Sequence, residues 1–293
     1  MTTTKKILVP IDFTDQSLVV LQQAIRVAKL TISDLVLLSI VELPSAIKKL
    51  FSDYESEIDN IKNQIREKLE DIKTKHCTDI SNVECVVSAG KIYKEITDVA
   101  EMINASLIIM GIDGSANGGA NKLMGSNANK VIRTSHCPVI TIRGNNLQEG
   151  CKTIVLPLDL HKETKEKVKN AIEFARLWNS EIKVLSVLMD DDEFIKNKLV
   201  RNLAQVEKFI SDSNVKCSSE LIQKNKSTKF FSSILDYSKS VNADLLIIMT
   251  QQEDSNSLSF LGSNANYFIN NSDIPVMSVR PSAKKDTSSF GLV

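Results

Sequence analysis

Asp12, the glycines of Gly111-Ile112-Asp113-Gly114 and the run Gly125-Ser126-Asn127 are the residues of this sequence best suited to hold a phosphorylated sugar. Glycine admits positive φ and lets backbone approach an anion with no Cβ in the way. A helix start adds unpaired N–H groups and a partial positive charge, and Ser126 adds a hydroxyl donor. The order strand, glycine loop (with Gly118-Gly119), helix therefore suits a phosphate, although glycines that merely turn the chain produce the same local word. It is not a Walker A loop: Gly114 and Gly119 have the outer spacing, but Ala120-Asn121 stands where Lys-[Ser/Thr] is required, and no G-x-G-x-x-G word occurs. The Asp12 carboxylate could accept hydrogen bonds from two vicinal ribose hydroxyls; an Asp after a strand is equally at home as a turn or capping residue.

These groups act together only if the chain brings their segments to one place. Ile7 to Ile11, Leu35 to Val41, Val83 to Val87, Leu107 to Met110 and Val139 to Ile142 are continuous apolar runs, the pattern of strands covered on both faces. Between them lie helical patterns: Leu18, Leu21, Ala24, Ile25 and Ala28 after an N-cap expected at Asp15 or Ser17; a stripe of Phe51, Tyr54, Ile58, Ile61, Ile65, Leu69 and Ile72, read as core rather than as a seat for a partner helix; Ile92 to Met102; and Asn127 to about Thr134. The order βαβαβαβαβ predicts a doubly wound parallel sheet, whose ligands bind beyond the carboxyl ends of its strands. Asp12 and Gly111 both fall at that edge.

The pattern occurs twice. Lys6-Ile7-Leu8-Val9-Pro10-Ile11-Asp12 is answered by Thr153-Ile154-Val155-Leu156-Pro157-Leu158-Asp159, and Ala105 to Met110 by Ala243 to Met249. Gly-Ser-Asn-Ala-Asn recurs at 125 to 129 and 262 to 266, and Cys137-Pro138-Val139-Ile140-Thr141-Ile142-Arg143 is echoed by Ile274-Pro275-Val276-Met277-Ser278-Val279-Arg280. Residues 1–144 and 151–281 are therefore expected to form two homologous domains joined by a short polar linker, with 282–293 a loose tail.

Val-Pro-Ile-Asp-Phe-Thr (9 to 14), Ser88-Ala89-Gly90, Ile-Met-Gly-Ile-Asp-Gly (109 to 114), Gly-Ser-Asn (125 to 127) and the Cys-Pro-Val closing strand resemble the universal stress protein family, over both units. The resemblance implies an adenine-nucleotide α-hydrolase-like, Rossmann-like fold. ATP-binding members of that family carry a G-x2-G-x9-G-[S/T] pattern; here ten residues rather than nine separate Gly114 from Gly125. Carried over position by position, the resemblance makes Asp12 a ribose ligand and places Ile11, Ile40 and Gly90 around the adenine. It gives the phosphates to Gly111, Gly114, Gly125 and Ser126, with Met110 and Asn127 flanking the nucleotide. Ile40 and Met110 are equally explicable as core. The expected ligand is ATP, or ADP or AMP, with Mg an optional companion. In the second unit Thr250 replaces Gly111, Glu253 replaces Gly114, and no glycine answers Gly90, so that site is expected to be degenerate.

Composition narrows the function further. Lys+Arg and Asp+Glu balance at 36 each, which leaves no basic field for nucleic acid or an anionic membrane surface. No apolar run has the length of a membrane span, and no signal-peptide pattern precedes the first strand, so a cytoplasmic protein is expected. The five cysteines are scattered without a C-x-x-C pair and the three histidines are dispersed, so no metal is assigned. No paired carboxylates, Ser/His/Asp set or Cys/His pair can be assembled, and only slow incidental ATP hydrolysis is expected. The reading is an ATP-binding stress or signalling module with an unknown protein partner; the alternative is a nucleotide-independent scaffold with a vestigial site. An adenylyl transferase is disfavoured by the lack of S-G-G-x-D-S and H-x-G-H words. The closing strands, short, apolar and last in their units, are expected to pair antiparallel within one chain, with Ile140 supplying a donor across the junction and homo-oligomerisation left open.

Overall fold

A computed structural model describes residues 4–42, 55–112, 124–144, 150–159, 164–189, 191–224, 230–250 and 263–280. The first unit runs β1 (Lys6–Pro10), α1 (Asp15–Thr31), β2 (Asp34–Glu42), α2 (Glu55–His76), β3 (Val83–Gly90), α3 (Ile92–Met102), β4 (Leu107–Gly111), α4 (Ser126–Thr134) and β5 (Val139–Ile142). The second repeats it: β6 (Thr153–Pro157), α5 (Thr164–Trp178), β7 (Glu181–Leu188), α6 (Glu193–Asp212), β8 (Cys217–Gln223), α7 (Phe230–Ser240), β9 (Leu245–Met249), α8 (Ser263–Asn271) and β10 (Val276–Val279).

Local chemistry explains the boundaries. The N-cap of α1 is Thr14, whose hydroxyl accepts from the Ser17 N–H at 3.3 Å; Asp15 and Ser17, the two residues expected as cap, are instead the first and third helical residues. A β-region Thr stops the strand's polarity and satisfies an orphan donor, and the acid then complements the helix dipole one position later. Asp192 caps α6 in the same way, accepting from Phe194 and Ile195, so part of the acidic run at 190 to 193 is a helix start. Left-handed residues follow several helices: Asn104, Asn179, Asn214 and Asn242, whose side chain tolerates that region. After α1 the residue is Ile32, β-branched, φ 50° and 84% exposed, where the second unit has Asn179. In the stripe on α2, Leu69 is buried and Ile72 packs beside it, but Ile58 and Ile65 are half-buried and Ile61 is 44% exposed. Only the C-terminal part of that helix lies against the core, because it runs along the outermost strands of its unit, β3 and β2.

Each unit has strand order 3-2-1-4-5, and the units join through their last strands into one ten-stranded sheet, β3-β2-β1-β4-β5-β10-β9-β6-β7-β8. Neighbours are parallel except at the junction, where β5 and β10 run antiparallel with Thr141 opposite Val276 and Val139 opposite Ser278. Alternate residues of every strand feed two apolar layers. One holds Val9, Leu21, Leu35 and Leu37 with Leu156, Val168 and Ile182. The other holds Leu8, Leu38, Ile108 and Val131 with Val155, Leu246 and Phe268. Both layers run through the two units.

The junction uses residues other than the one expected. Ile108 N–H donates to Pro138 O and Ile112 N–H to Ile142 O, so by the two-residue alternation of a strand the Ile140 amide faces β4, inside the first unit. Val139 and Thr141 face β10, and the buried Thr141 hydroxyl adds a bond to Val276 O at 3.2 Å.

Thr141→Pro, which deletes an amide aimed across the junction, should cost about 1–3 kcal/mol and separate the units, raising the radius of gyration measured by solution scattering. An unchanged scattering profile would show that the strand pairing does not hold the halves together. Ile32→Asn, which copies the second unit, should raise stability by about 1 kcal/mol in urea titration by relieving a left-handed β-branched residue. A loss of stability would mean that the Ile32 side chain contributes packing.

Candidate functional site

In each unit the strand order reverses between the first strand and the fourth, so a crevice opens beyond their carboxyl ends. In the first unit, Asp12 follows β1 and Gly111 ends β4, so both lie at that crevice. Asp12 is exposed; its Oδ1 accepts from Thr14 N–H (3.1 Å) and Thr14 Oγ1–H (2.6 Å), a turn that orients the carboxylate at the mouth. Phe13 between them takes φ 64° and lies beneath the Lys68 ammonium of α2, 6.0 Å from its ring centre. Ile11 extends the pairing with β2 through a 2.8 Å bond to Leu38 O and turns its side chain into the α1-side core, so it presents backbone to the crevice.

Gly111 lies under Gln16 of α1, whose amide nitrogen donates to Ile142 O at 3.3 Å; a Cβ on Gly111 would come within 3.2 Å of the Gln16 side chain. Gly125 N–H donates to Ile112 O at 3.1 Å, which brings the start of α4 against the end of β4. The helix has Gly125 as N-cap with no side-chain cap bond and no acid in its first turn. Among the described residues no side chain caps its first amides, which lie beside exposed Ser126 and half-buried Asn127. Gly114, Gly118 and Gly119 lie outside the described residues.

Deeper in, Ile40 and Met110 face the α3/α4 side, Met110 buried and Ile40 half-buried. Ser88 is the register partner of Ile40 on β3, and its buried hydroxyl is without a partner among the described residues. Two residues on, Gly90 is buried under the Glu95 carboxylate of α3, which any Cβ there would strike. A flat apolar wall, an orphaned hydroxyl and a glycine suit a heterocycle with polar edges. Sequence reading passed over Gln16 and Glu95. Each sits in the first turn of a helix at the crevice, and only the fold shows which glycine it covers.

The second crevice is built differently. Thr250, expected in the place of Gly111, stands instead in the place of Ile112: Met249 lies opposite Val279 as Gly111 lies opposite Ile142, and the next residue of each unit donates its N–H to that partner's carbonyl. Met249 therefore replaces Gly111, while buried Thr250 has its N–H 3.0 Å and its hydroxyl 3.4 Å from Val279 O. Strand register puts Lys224 where the first unit has Gly90. Asp159 is half-buried, and its carbonyl accepts from Asn202 of α6 at 3.1 Å. Lys167 takes the place of Val20 on the buried face of α5, 7% exposed, and its ammonium donates to Pro157 O at the end of β6. That lysine was also missed; the signal was a cation in step with Val168, Ala171 and Ala175, where the first unit is apolar.

Comparison with known proteins agrees with this architecture. The model of the universal stress protein family matches twice, at residues 3–143 and 150–280. A universal stress protein of Bacillus subtilis is 30% identical over 146 residues, 47% of this chain and 98% of that protein. One of Methanocaldococcus jannaschii is 29% identical over 140 residues, 47% of this chain and 82% of that protein. The crystal structure of a universal stress protein from Archaeoglobus fulgidus is similar in fold across both units, with TM-score 0.78 and 20% identity over 96% of this chain and 100% of that one.

No helix among the described residues is long and apolar enough to cross a membrane. The thiols are poor nucleophiles. Burial pushes Cys77 up to about 11 and Cys85, Cys151 and Cys217 up to about 12, with nearby carboxylates adding to the effect at the last three, and burial also raises Cys137. Since only thiolate attacks, these groups stay inert at neutral pH. In the folded protein all five cysteines should react with an aromatic disulfide reagent near pH 8 far more slowly than in denaturant, on the order of a hundredfold. A thiol that reacts at the denatured rate would reveal an activated cysteine.

Proposed function

We propose that this chain, which belongs to the universal stress protein family in both of its halves, is an ATP-binding stress or signalling module with one nucleotide site, in its first unit. The observation that carries the reading is the convergence at the β1/β4 switch of Asp12, Gly111 and the start of α4, with the Ser88 hydroxyl, buried and without a partner among the described residues, behind them. In this reading Asp12 holds the ribose hydroxyls. The adenine lies between Ile40, Gly90 and the Ile11 backbone, bordered by Met110. The phosphates lie on Gly111, Gly114, Gly125 and Ser126 beside Asn127, with Mg as an accompanying ion. The oxygens of a nucleotide would accept from the first amides of α4. The protein works by binding: bound ATP biases its conformation or its choice of partner, in a cytoplasmic setting, with hydrolysis only incidental.

The second unit keeps the fold and supplies the junction. Met249 and Lys224 stand in place of Gly111 and Gly90, the Lys167 ammonium is tied to the β6 end, and no glycine occurs between Met249 and Gly262. Residues 1–144 and 151–281 act as the two domains.

Titration calorimetry should find one ATP per chain, and mass spectrometry of the denatured protein should detect copurified adenine nucleotide. Two equal sites would refute the asymmetry, and no binding would leave the scaffold reading. Gly114→Glu, which brings an acid of the second unit's loop into the cradle, and Gly111→Met, which copies Met249, should weaken ATP at least about tenfold, since two like charges 4 Å apart cost about 1–4 kcal/mol between water and a protein surface, and a side chain at position 111 narrows the cradle. Unchanged affinity for both variants would place the phosphates elsewhere.

A further inference from the structure

The loop that enters α4 is held by the other unit. Met124, the residue before the N-cap Gly125, donates its N–H to Oδ1 of Asn270 in α8 at 2.6 Å. Asn270 is itself oriented: its side-chain amide nitrogen donates to Asn266 O at 2.8 Å, one turn back on its helix, and its backbone carbonyl accepts from the Arg143 guanidinium after β5. Beside this contact Asn129 of α4 donates to Asn266 of α8 at 3.1 Å, joining the same position of the repeated Gly-Ser-Asn-Ala-Asn word across the pseudo-two-fold.

The first unit has no counterpart of this acceptor. Alignment of the repeated word from Gly125 and Gly262 puts Arg133 in the place of Asn270. An amide offers an acceptor oxygen; a guanidinium offers donors only. No side-chain acceptor at the equivalent position of the first unit can hold the N–H that precedes Gly262. The unit that keeps the phosphate glycines is the one whose loop receives an acceptor from its neighbour.

We infer that Asn270 is a positioning residue for the first unit's nucleotide site: by holding Met124 N–H it fixes the entry of the glycine loop into α4, and it makes nucleotide affinity depend on domain pairing. The inference rests on the nucleotide reading given above. By linkage the dependence runs both ways, so bound ATP also tightens the junction.

The test compares full-length variants. Asn270→Ala should weaken ATP in calorimetry about fivefold to tenfold, the factor of a lost hydrogen bond, and should speed hydrogen exchange of the Met124 amide in the protein without added nucleotide. Asn270→Arg, which copies the first unit, should do the same. Arg280→Ala removes a different cross-junction contact, the 3.4 Å bond to Thr134 O, without touching the loop, and should leave the ATP affinity within about twofold. Equal weakening by Arg280→Ala would show that the junction is merely loosened and would overturn the positioning role. Unchanged affinity with Asn270→Ala would overturn it too. Should the parent protein bind no ATP, the nucleotide reading falls, and the Met124 exchange rate still reports whether Asn270 holds the loop.

Discussion

The antiparallel pairing of β5 with β10 is the interaction on which the rest of this molecule depends. Each strand has only four residues, and each would be the unpaired edge of a sheet if its unit stood alone. Joined by a short linker, the two edges meet at an effective concentration on the order of millimolar or higher, and pairing within the chain wins over pairing between chains. The result is a sheet whose two apolar layers pass through both units without interruption. Removing the pairing would expose two rows of backbone donors and acceptors and open both layers at their middle.

The same pairing sets α4 and α8 side by side. Both helices follow the fourth strand of their unit, both lie on the same face of the sheet, and the pseudo-two-fold brings their repeated asparagines together. A junction built only from apolar contact would tolerate sliding. Amide-to-amide bonds and the two closing arginines, Arg143 and Arg280, reach across to the other unit's backbone and permit one register. This seam reaches Met124, the residue before the N-cap of α4 at the first crevice.

With pairing secured by both units, the crevices were free to diverge. The first keeps small residues at Gly90 and Gly111 with side chains folded over them. The second has side chains there instead, Met249 in the place of Gly111 and Lys167 drawn to a strand-end carbonyl. A buried ammonium is costly unless hydrogen-bonded, and the carbonyl contact offsets part of that cost. It also places fixed positive charge where an apolar face lies in the first unit.

Much of this was legible in the residues themselves. Apolar runs of four to nine residues separated by helical periods define a doubly wound sheet, and a repeated five-residue word defines a tandem, because periodicity and identity are local properties of a chain. Asp12, Gly111 and Gly125 were found the same way, since strand ends and helix starts announce themselves in sequence. Other features needed three dimensions. Which way the Ile140 amide points depends on the register with β4, since a shift of one residue reverses it. Whether the Phe51-to-Ile72 stripe meets the core depends on where α2 lies over the sheet. Gln16 and Glu95 became neighbours of glycines distant from them in function only when helices folded back over strand ends, and Lys167 was one cation in an apolar column until the end of β6 met it. Asn270 is more than a hundred residues from Met124 along the chain, and no local pattern links them. Side-chain periodicity decides which elements form; the antiparallel seam, a contact between the last strand of each unit, decides which residues of those elements meet.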